Sequence, residues 1–321
     1  VPTWTGNSDV RELPPIPVVC GPTGSGKTSL VVALAAQFPL EVVSADSRQI
    51  IRHLDIGTAK PTPEEQRAVR FHLVDIVEPG ERYSAYQFVL DCDAAIDDIL
   101  SRRNIPVLVG GTGLYLRALT EGVIEFENPD PGARCLLEEE MRRKGPEAMH
   151  RRLAEVDPEE ASRIHAHNQV RVIRALEIYE LTGFSKSELT RSGTYKRSKH
   201  SYEFLCLQQE REILYDRINR RVDQMLAQGL LAEVGRLVSE GLEHRLRRAN
   251  VIGYEELLDY LKGRMTLSEA IDLIKRNSRR YAKRQITWFR HQARCSYYAD
   301  ADQLDRFLQS ELKNFGDALK P

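Results

Sequence analysis

Ile16-Pro-Val-Val-Cys20, then Gly21-Pro-Thr-Gly-Ser-Gly26-Lys27-Thr28, then Ser29 to Gln37 run together as apolar strand, glycine loop and helix. The middle segment satisfies G-x-x-x-x-G-K-[ST] in full, in the strand–loop–helix setting that its physics requires. Gly21, Gly24 and Gly26 let backbone N–H groups converge on phosphate oxygens, and the helix N-terminus adds a favourable dipole. Pro22, Thr23 and Ser25 complete the loop. Lys27 supplies a point charge, and the Thr28 hydroxyl is the candidate Mg²⁺ ligand. A glycine turn that binds nothing is the bland alternative, and the flanking strand and helix argue against it. The motif specifies a polyphosphate, either ATP or a diphosphate leaving group, and no particular reaction.

Outward from this loop the alternation continues. Glu41-Val-Val-Ser-Ala45, Phe71 to Val77 and Ile105-Pro-Val-Leu-Val109 read as strands. Thr62-Pro-Glu-Glu65 and Ser84 with Gln87 start helices, the second running to about Arg103. Strands alternating with helices predict an α/β fold with a parallel sheet wrapped by helices. Near Asn128-Pro-Asp-Pro-Gly132 the pattern changes to helical signals alone, with caps at Asp157 and Ser185 and an apolar stripe of Val172, Leu176 and Tyr179. A strand returns at Tyr202 to Leu207, followed by long amphipathic helices. The expected division is an N-terminal tail over 1–15, a P-loop core over 16–127 and 200–300, an all-helical insertion over 128–199 and a C-terminal tail over 301–321.

Lysine plus arginine number 46 against 47 acidic residues, so no global field announces a nucleic-acid partner. The longest clean apolar run, Leu30 to Ala36, is too short to span a bilayer, and Val1 to Pro17 lacks a signal pattern. Five scattered cysteines without a C-x-x-C pair argue against a disulfide framework or a structural zinc, and for a reducing, cytoplasmic setting. The carboxylate that would serve as a second Mg²⁺ ligand is ambiguous: Asp46 follows one strand and Asp75 lies in another. Asp46 can instead be a simple helix or turn cap.

The ordered motifs Gly21–Thr28, Ser44-Ala-Asp-Ser47 and Asp55-Ile-Gly-Thr-Ala-Lys-Pro61 resemble the opening of the tRNA dimethylallyltransferases, also called tRNA isopentenyltransferases. The resemblance continues through His72-Leu-Val-Asp-Ile76, Tyr83-Ser-Ala85, Val109-Gly-Gly-Thr-Gly-Leu-Tyr115, Arg174-Ala-Leu-Glu177, Ile252-Gly-Tyr254 and Ala282-Lys-Arg-Gln-Ile-Thr-Trp288. It spans about residues 16 to 294, with departures at Gly24, Phe71 and Asn250.

The resemblance implies transfer of a dimethylallyl group from dimethylallyl diphosphate to N6 of the adenosine 3′ of a tRNA anticodon, by a monomer with Mg²⁺. Asp46 is then the base, and Thr23, Arg221 and Thr112 join it at the reacting centre. Without the resemblance, Arg221 reads as a solvated helix arginine and Thr112 as a strand-end turn. Asp46, Ser47, Arg48 and Gln49 are expected to line the meeting point with the turned-out base, with Thr112, Gly113 and Gln285 among the tRNA contacts.

Lys275, Arg279 and Lys283, and beside them Arg276, Arg280 and Arg284, recur every four residues and form two basic rows on one helix. Ile271, Ile274, Tyr281 and Trp288 form its apolar stripe. Such rows are either a solvated face or a grip on the anticodon stem-loop. Arg171 and Arg174 are likewise either a stem clamp or partners of Glu177. Competing readings are an adenylate isopentenyltransferase acting on free nucleotide, a small-molecule kinase and a non-catalytic RNA-binding switch.

Overall fold

The computed structural model describes residues 13–124, 131–193, 195–292 and 295–320. Most of the expected 1–15 tail and part of the Asn128–Gly132 turn therefore lie outside the described residues. The chain divides into two compact units, Val1–Thr120 with Ser198–Pro321, and Glu121–Arg197.

In the first unit, β1 (Ile16–Cys20), α1 (Lys27–Leu34), β2 (Leu40–Ala45), α2 (Pro63–Ala68), β3 (Phe71–His72), α3 (Ala85–Ser101), β4 (Ile105–Gly110) and α4 (Gly113–Glu121) come first. The insertion carries β5 (Val123–Ile124), α5 (Pro131–Lys144), α6 (Pro146–Val156), α7 (Pro158–Arg163), α8 (Gln169–Thr182), α9 (Lys186–Ser192) and β6 (Tyr195–Lys196). The chain returns as β7 (Tyr202–Leu207), α10 (Arg211–Ala227), α11 (Leu230–Ser239), α12 (Glu243–Ala249), α13 (Tyr254–Leu261), α14 (Leu267–Gln292), β8 (Ser296–Tyr298) and α15 (Ala301–Ala318).

The main sheet has the order β3-β2-β4-β1-β7-β8, and every pairing in it is parallel. Every residue of β1, β2 and β4 is buried, as expected for parallel strands covered on both faces. Register sets the level of the strand ends. Cys20 pairs with Gly110, and Gly110 with Ala45. The residues that follow, Gly21, Gly111 and Asp46, therefore leave the sheet at one carboxyl edge, where open α/β sheets gather ligands.

Four expectations change. Only Phe71–His72 of the Phe71–Val77 stretch is strand. Leu73 and Asp75 take left-handed φ of 59° and 56°, which breaks the ladder, and Val77 rejoins only as a bridge to Ile51. Residues 301–318 are no peripheral tail: α15 buries Leu304, Leu308, Leu312 and Phe315 and packs against α1 and β4. Ser296–Tyr298 adds an edge strand that was too short to show a period. The insertion starts earlier than expected because β5 and β6 form an antiparallel ribbon, Val123 to Lys196, joining its two ends.

Buried polar groups give several motif residues a structural place. Glu41 in β2 accepts from Arg102 at 2.8 Å and Asn104 at 2.7 Å, and pairs with His72 at 2.7 Å. Burial alone would raise its carboxyl, but those hydrogen bonds outweigh burial and hold it at about 2. Glu233 of α11 accepts from Tyr254 Oη at 2.5 Å and from the backbone N–H groups of Asp55 and Ile56 at 3.2 and 3.0 Å. Gly57 lies under that tyrosine: a Cβ there would stand 2.4 Å from the ring. A second apolar cluster, including Leu54, Leu230, Tyr254, Leu257 and Ile274, holds the Asp55 loop on α11, α13 and α14.

The second unit has its own core of Leu137, Met141, Met149, Leu153, Ala161, Ile164, Val172 and Leu176. Asp157 caps α7 through Glu160 N–H at 3.0 Å, and Ser185 with Glu188 closes a capping box on α9. Among the described residues no helix is long and apolar enough to cross a membrane.

Candidate active site at the carboxyl edge of the sheet

The loop after β1 forms because glycine occupies its left-handed positions, with φ of 82° at Gly24 and 96° at Gly26, the N-cap of α1. Lys27 Nζ donates to Pro22 O at 2.7 Å and to Ser25 Oγ at 3.3 Å, so its charge lies over the loop. Burial lowers the Lys27 ammonium to about 8, although the Asp46 carboxylate works in the opposite direction. Thr28 sits half-buried in the first turn of α1.

Arg221 comes from α10 and donates from Nη2 to Thr23 Oγ1 at 2.6 Å. Burial lowers the Arg221 guanidinium, again opposed by Asp46. Its Nε is buried and, among the described residues, has no protein acceptor. A donor in that position can serve an anionic ligand. Lys27, Arg221 and Asp46 thus share one electrostatic neighbourhood, and the solvated-helix alternative for Arg221 does not describe it.

Asp46 leaves β2 in a tight turn in which Oδ1 accepts the Arg48 N–H at 2.8 Å. This is the turn-cap role, and it occupies one carboxylate oxygen. Among the described residues no hydrogen bond engages Oδ2. Beside it, Thr112 Oγ1 accepts the Ser47 N–H at 2.9 Å and donates to Ser47 Oγ at 3.3 Å. Arg48 and Gln49, expected at the meeting point, also make internal hydrogen bonds: Arg48 Nη1 donates to Ala249 O at 2.9 Å, Gln49 Nε2 donates to Ala59 O at 2.9 Å and Gln49 Oε1 accepts from Ser44 Oγ at 3.0 Å.

Gln285, expected among the tRNA contacts, is buried and bridges two loops. Its Oε1 accepts the Thr23 N–H at 2.9 Å and its Nε2 donates to Gly111 O at 2.8 Å. One buried amide therefore ties α14 to both the phosphate loop and the loop after β4. Gly111 leaves no room for a side chain, since a Cβ would lie 2.8 Å from the backbone oxygen of Gly21 and 2.4 Å from Gln285 Nε2. At Gly113 a Cβ would lie 2.3 Å from the Trp288 ring. The inward stripe of α14 is Ala270, Ile274, Ala282, Gln285 and Phe289, with Ile271 and Trp288 only partly covered.

The two basic rows separate differently from their spacing. Lys275 pairs with Asp223 at 2.6 Å and Arg279 donates to Asn219 at 2.6 Å, so both pin α14 to α10. Arg284 lies 5.5 Å from the centroid of the Tyr281 ring. Arg276, Arg280, Lys283 and Arg284 are exposed. A cavity of about 270 Å³ beside the loop is lined by Pro22, Arg211, Tyr215, Lys283, Ile286 and Arg290, joining cations to apolar walls. In the other unit Arg171 is exposed, while Arg174 donates to the buried Glu177 at 2.9 Å.

Of the two carboxylate candidates, Asp75 is bound by the buried Lys60, which also holds Asp55 at 2.7 Å. The phosphate loop therefore keeps Asp46 as its neighbouring acid. No cluster of three or more His, Cys, Asp or Glu that could hold a metal occurs among the described residues. The Thr28 hydroxyl, a hard oxygen donor engaged in no hydrogen bond among the described residues, suits a Mg²⁺ whose other ligands are phosphate oxygens and water.

The chain matches the family model described as IPP transferase over residues 49–292, and that described as Isopentenyl transferase over residues 14–77. It is 46% identical to tRNA dimethylallyltransferase 1 of Syntrophotalea carbinolica, over 87% of this chain and 88% of that one. It is 44% identical to tRNA dimethylallyltransferase of Geobacillus kaustophilus, over 93% and 97% of the two chains. Among solved structures, the full-length tRNA isopentenylpyrophosphate transferase from Bacillus halodurans superposes with a TM-score of 0.66 at 40% identity, covering 94% of this chain and 98% of that one. A eukaryotic dimethylallyltransferase acting on tRNA superposes with a TM-score of 0.76 at 29% identity, covering 95% of this chain and 80% of that one.

Proposed function

Because the chain belongs to the tRNA dimethylallyltransferase family, we propose that it transfers a dimethylallyl group from dimethylallyl diphosphate to N6 of the adenosine immediately 3′ of a tRNA anticodon. The products are N6-dimethylallyladenosine and diphosphate. The observation that carries this reading is the level register of Cys20, Gly110 and Ala45, which sets the anion loop and Asp46 at one sheet edge.

The exocyclic amine of adenine is a weak nucleophile because its lone pair is delocalised into the ring. Asp46, through the oxygen not held by the Arg48 N–H, takes the amine proton as the C–N bond forms. General-base help of this kind contributes about 10²–10⁴-fold. On the other side the allylic C–O bond breaks and charge grows on the diphosphate. The loop amides, Lys27 and Arg221 are directed at that charge, as a preorganised anion hole requires. Bound through Thr28, Mg²⁺ would neutralise further phosphate charge as a Lewis acid. In this reading the loop holds the donor diphosphate and no ATP.

The target adenosine must leave its stack to reach Asp46. Ser47, next to Asp46 in the chain, and Thr112, which accepts the Ser47 N–H, are the residues that would meet the extruded nucleoside. The exposed Arg276, Arg280, Lys283 and Arg284 suit phosphate contacts along the stem. A tRNA substrate and free cysteines fit work in the cytoplasm.

The test is incubation with dimethylallyl diphosphate, Mg²⁺ and an anticodon stem-loop, followed by mass analysis of the RNA, with AMP as a parallel acceptor. Prenylated stem-loop and unreacted AMP are expected. Prenylation of AMP alone, or phosphate transfer from labelled ATP, would overturn the assignment.

A further inference from the structure

Cys20, Cys206 and Cys295 bring three thiols together behind the phosphate loop. Cys20 and Cys206 are register partners in the β1–β7 ladder, and Cys20 Sγ lies 4.0 Å from Cys295 Sγ. Cys20 and Cys206 are fully buried, whereas Cys295 is half-buried. Cys295 also lines an open groove of about 530 Å³ with Pro15, Tyr202, Glu203, Phe204 and Ser296. The mechanism above uses none of these thiols.

Neighbouring thiols in one site cannot all ionise, since each thiolate opposes the next. A single negative charge settles where the other S–H groups donate to it and where water reaches it. Cys295 meets both conditions. Hydrogen bonds from Cys20 and Cys206 hold its thiol well below the ordinary range, against the cost of its partial burial. Burial, followed by its contacts with the other two sulfurs, raises Cys20. A hydrogen bond from Cys20 lowers Cys206, but its hydrogen bond to Cys295 and burial push it up to about 12. The Lys27 ammonium also lowers Cys206, but by less than its hydrogen bond to Cys295 and its burial raise it. Glu203 on the groove is raised by burial, which reduces its opposition to a nearby anion.

We infer that Cys295 is a reactive-thiol modification site, open through its groove to small hydroperoxides and alkylating electrophiles. With hydrogen peroxide, the thiolate sulfur attacks one oxygen, an S–O bond forms and the O–O bond breaks. Sulfur is oxidised by two electrons, hydroxide leaves and takes a proton from solvent, and Cys295 becomes a sulfenic acid.

Cys135, exposed on α5, is an internal control, because exposure alone would make it the faster thiol. The experiment is timed iodoacetamide labelling of the intact chain, read by peptide mass spectrometry at about pH 6 and about pH 8.5. At the lower pH, Cys295 should label about tenfold or more faster than Cys135, and the gap should narrow at the higher pH. Hydrogen peroxide followed by dimedone should place the adduct on Cys295. Faster labelling of Cys135 at both pH values, or equal loss of rate at both cysteines on acidification, would overturn the inference.

Discussion

Arg221 donates to the Thr23 hydroxyl at 2.6 Å, joining residues 198 positions apart and fixing α10 to the phosphate loop. Hydrogen bonds to Thr23 from two directions, Arg221 at its side chain and Gln285 at its N–H, leave that loop residue little freedom. Arg221→Ala removes one of these links and a buried cation beside the proposed diphosphate site. Turnover should fall about 10²–10³-fold, the size typical of losing one preorganised donor. Steady-state kinetics with a stem-loop acceptor measure it, and a change confined to the donor KM would assign Arg221 to ground-state binding alone.

Lys27 gives donor binding a pH dependence with a definite sign. Its ammonium is lowered to about 8 by burial, and a bound diphosphate stabilises the protonated form. The free protein loses that proton as pH rises through about 8, so affinity for an unreactive diphosphate analogue should weaken above it. The limiting slope is about tenfold per pH unit, and calorimetric titration from pH 7 to about 9.5 reads it. Lys27→Arg should remove the inflection, because a guanidinium keeps its charge throughout this range. A flat wild-type profile would detach Lys27 from the donor.

Asp46→Asn keeps the turn, since an amide oxygen can still accept the Arg48 N–H, but removes the proposed base. Transfer should drop by about 10²–10⁴-fold while analogue and RNA affinities stay within about twofold. Single-turnover rates separate the effects, and near-normal transfer would take Asp46 out of the base role.

Much of this arrangement was legible in the chain because it depends on local signals. The Gly21–Thr28 loop, the Thr62 and Ser185 caps and the four principal strands each occupy a few consecutive residues with a distinctive period or cap. What escaped depends on partners distant in sequence. Gln285 is expected from the sequence as a tRNA contact, and only packing of α14 turns its amide onto Thr23 and Gly111. Lys275 and Arg279 share the spacing of Lys283, yet α10 supplies Asp223 and Asn219 opposite the first two. Asp75 sits in an apolar run that reads as strand, and Lys60 with a left-handed backbone makes it a turn.

That separation within α14 predicts two classes of basic substitution. Replacing Arg276, Arg280 and Lys283 together with alanine should weaken stem-loop binding and reduce its salt slope by about 0.7–0.9 for each phosphate that is no longer neutralised. Lys275→Ala with Arg279→Ala should instead lower thermal stability and leave the slope nearly unchanged, because those side chains are spent on α10. Binding titrations at several salt concentrations, paired with melting curves, distinguish the classes. Equal slopes in both variants and the parent would remove α14 from the RNA interface.

Tyr254→Phe tests whether the Ile252-Gly-Tyr254 motif acts through structure. The phenol hydroxyl is the partner of Glu233 Oε1, while Oε2 holds the N–H groups of Asp55 and Ile56. Deleting the hydroxyl leaves one oxygen of a largely buried carboxylate without its donor, at a cost of about 1–3 kcal/mol. The midpoint of thermal unfolding should fall by several degrees, roughly 2–4 °C for each kcal/mol lost in a domain of this size. At a temperature well below that midpoint, turnover should remain within about twofold, since the phenylalanine ring still covers Gly57 and keeps the Asp55 loop in place. A large loss of turnover with an unchanged midpoint would instead give the Tyr254 hydroxyl a part in the reaction.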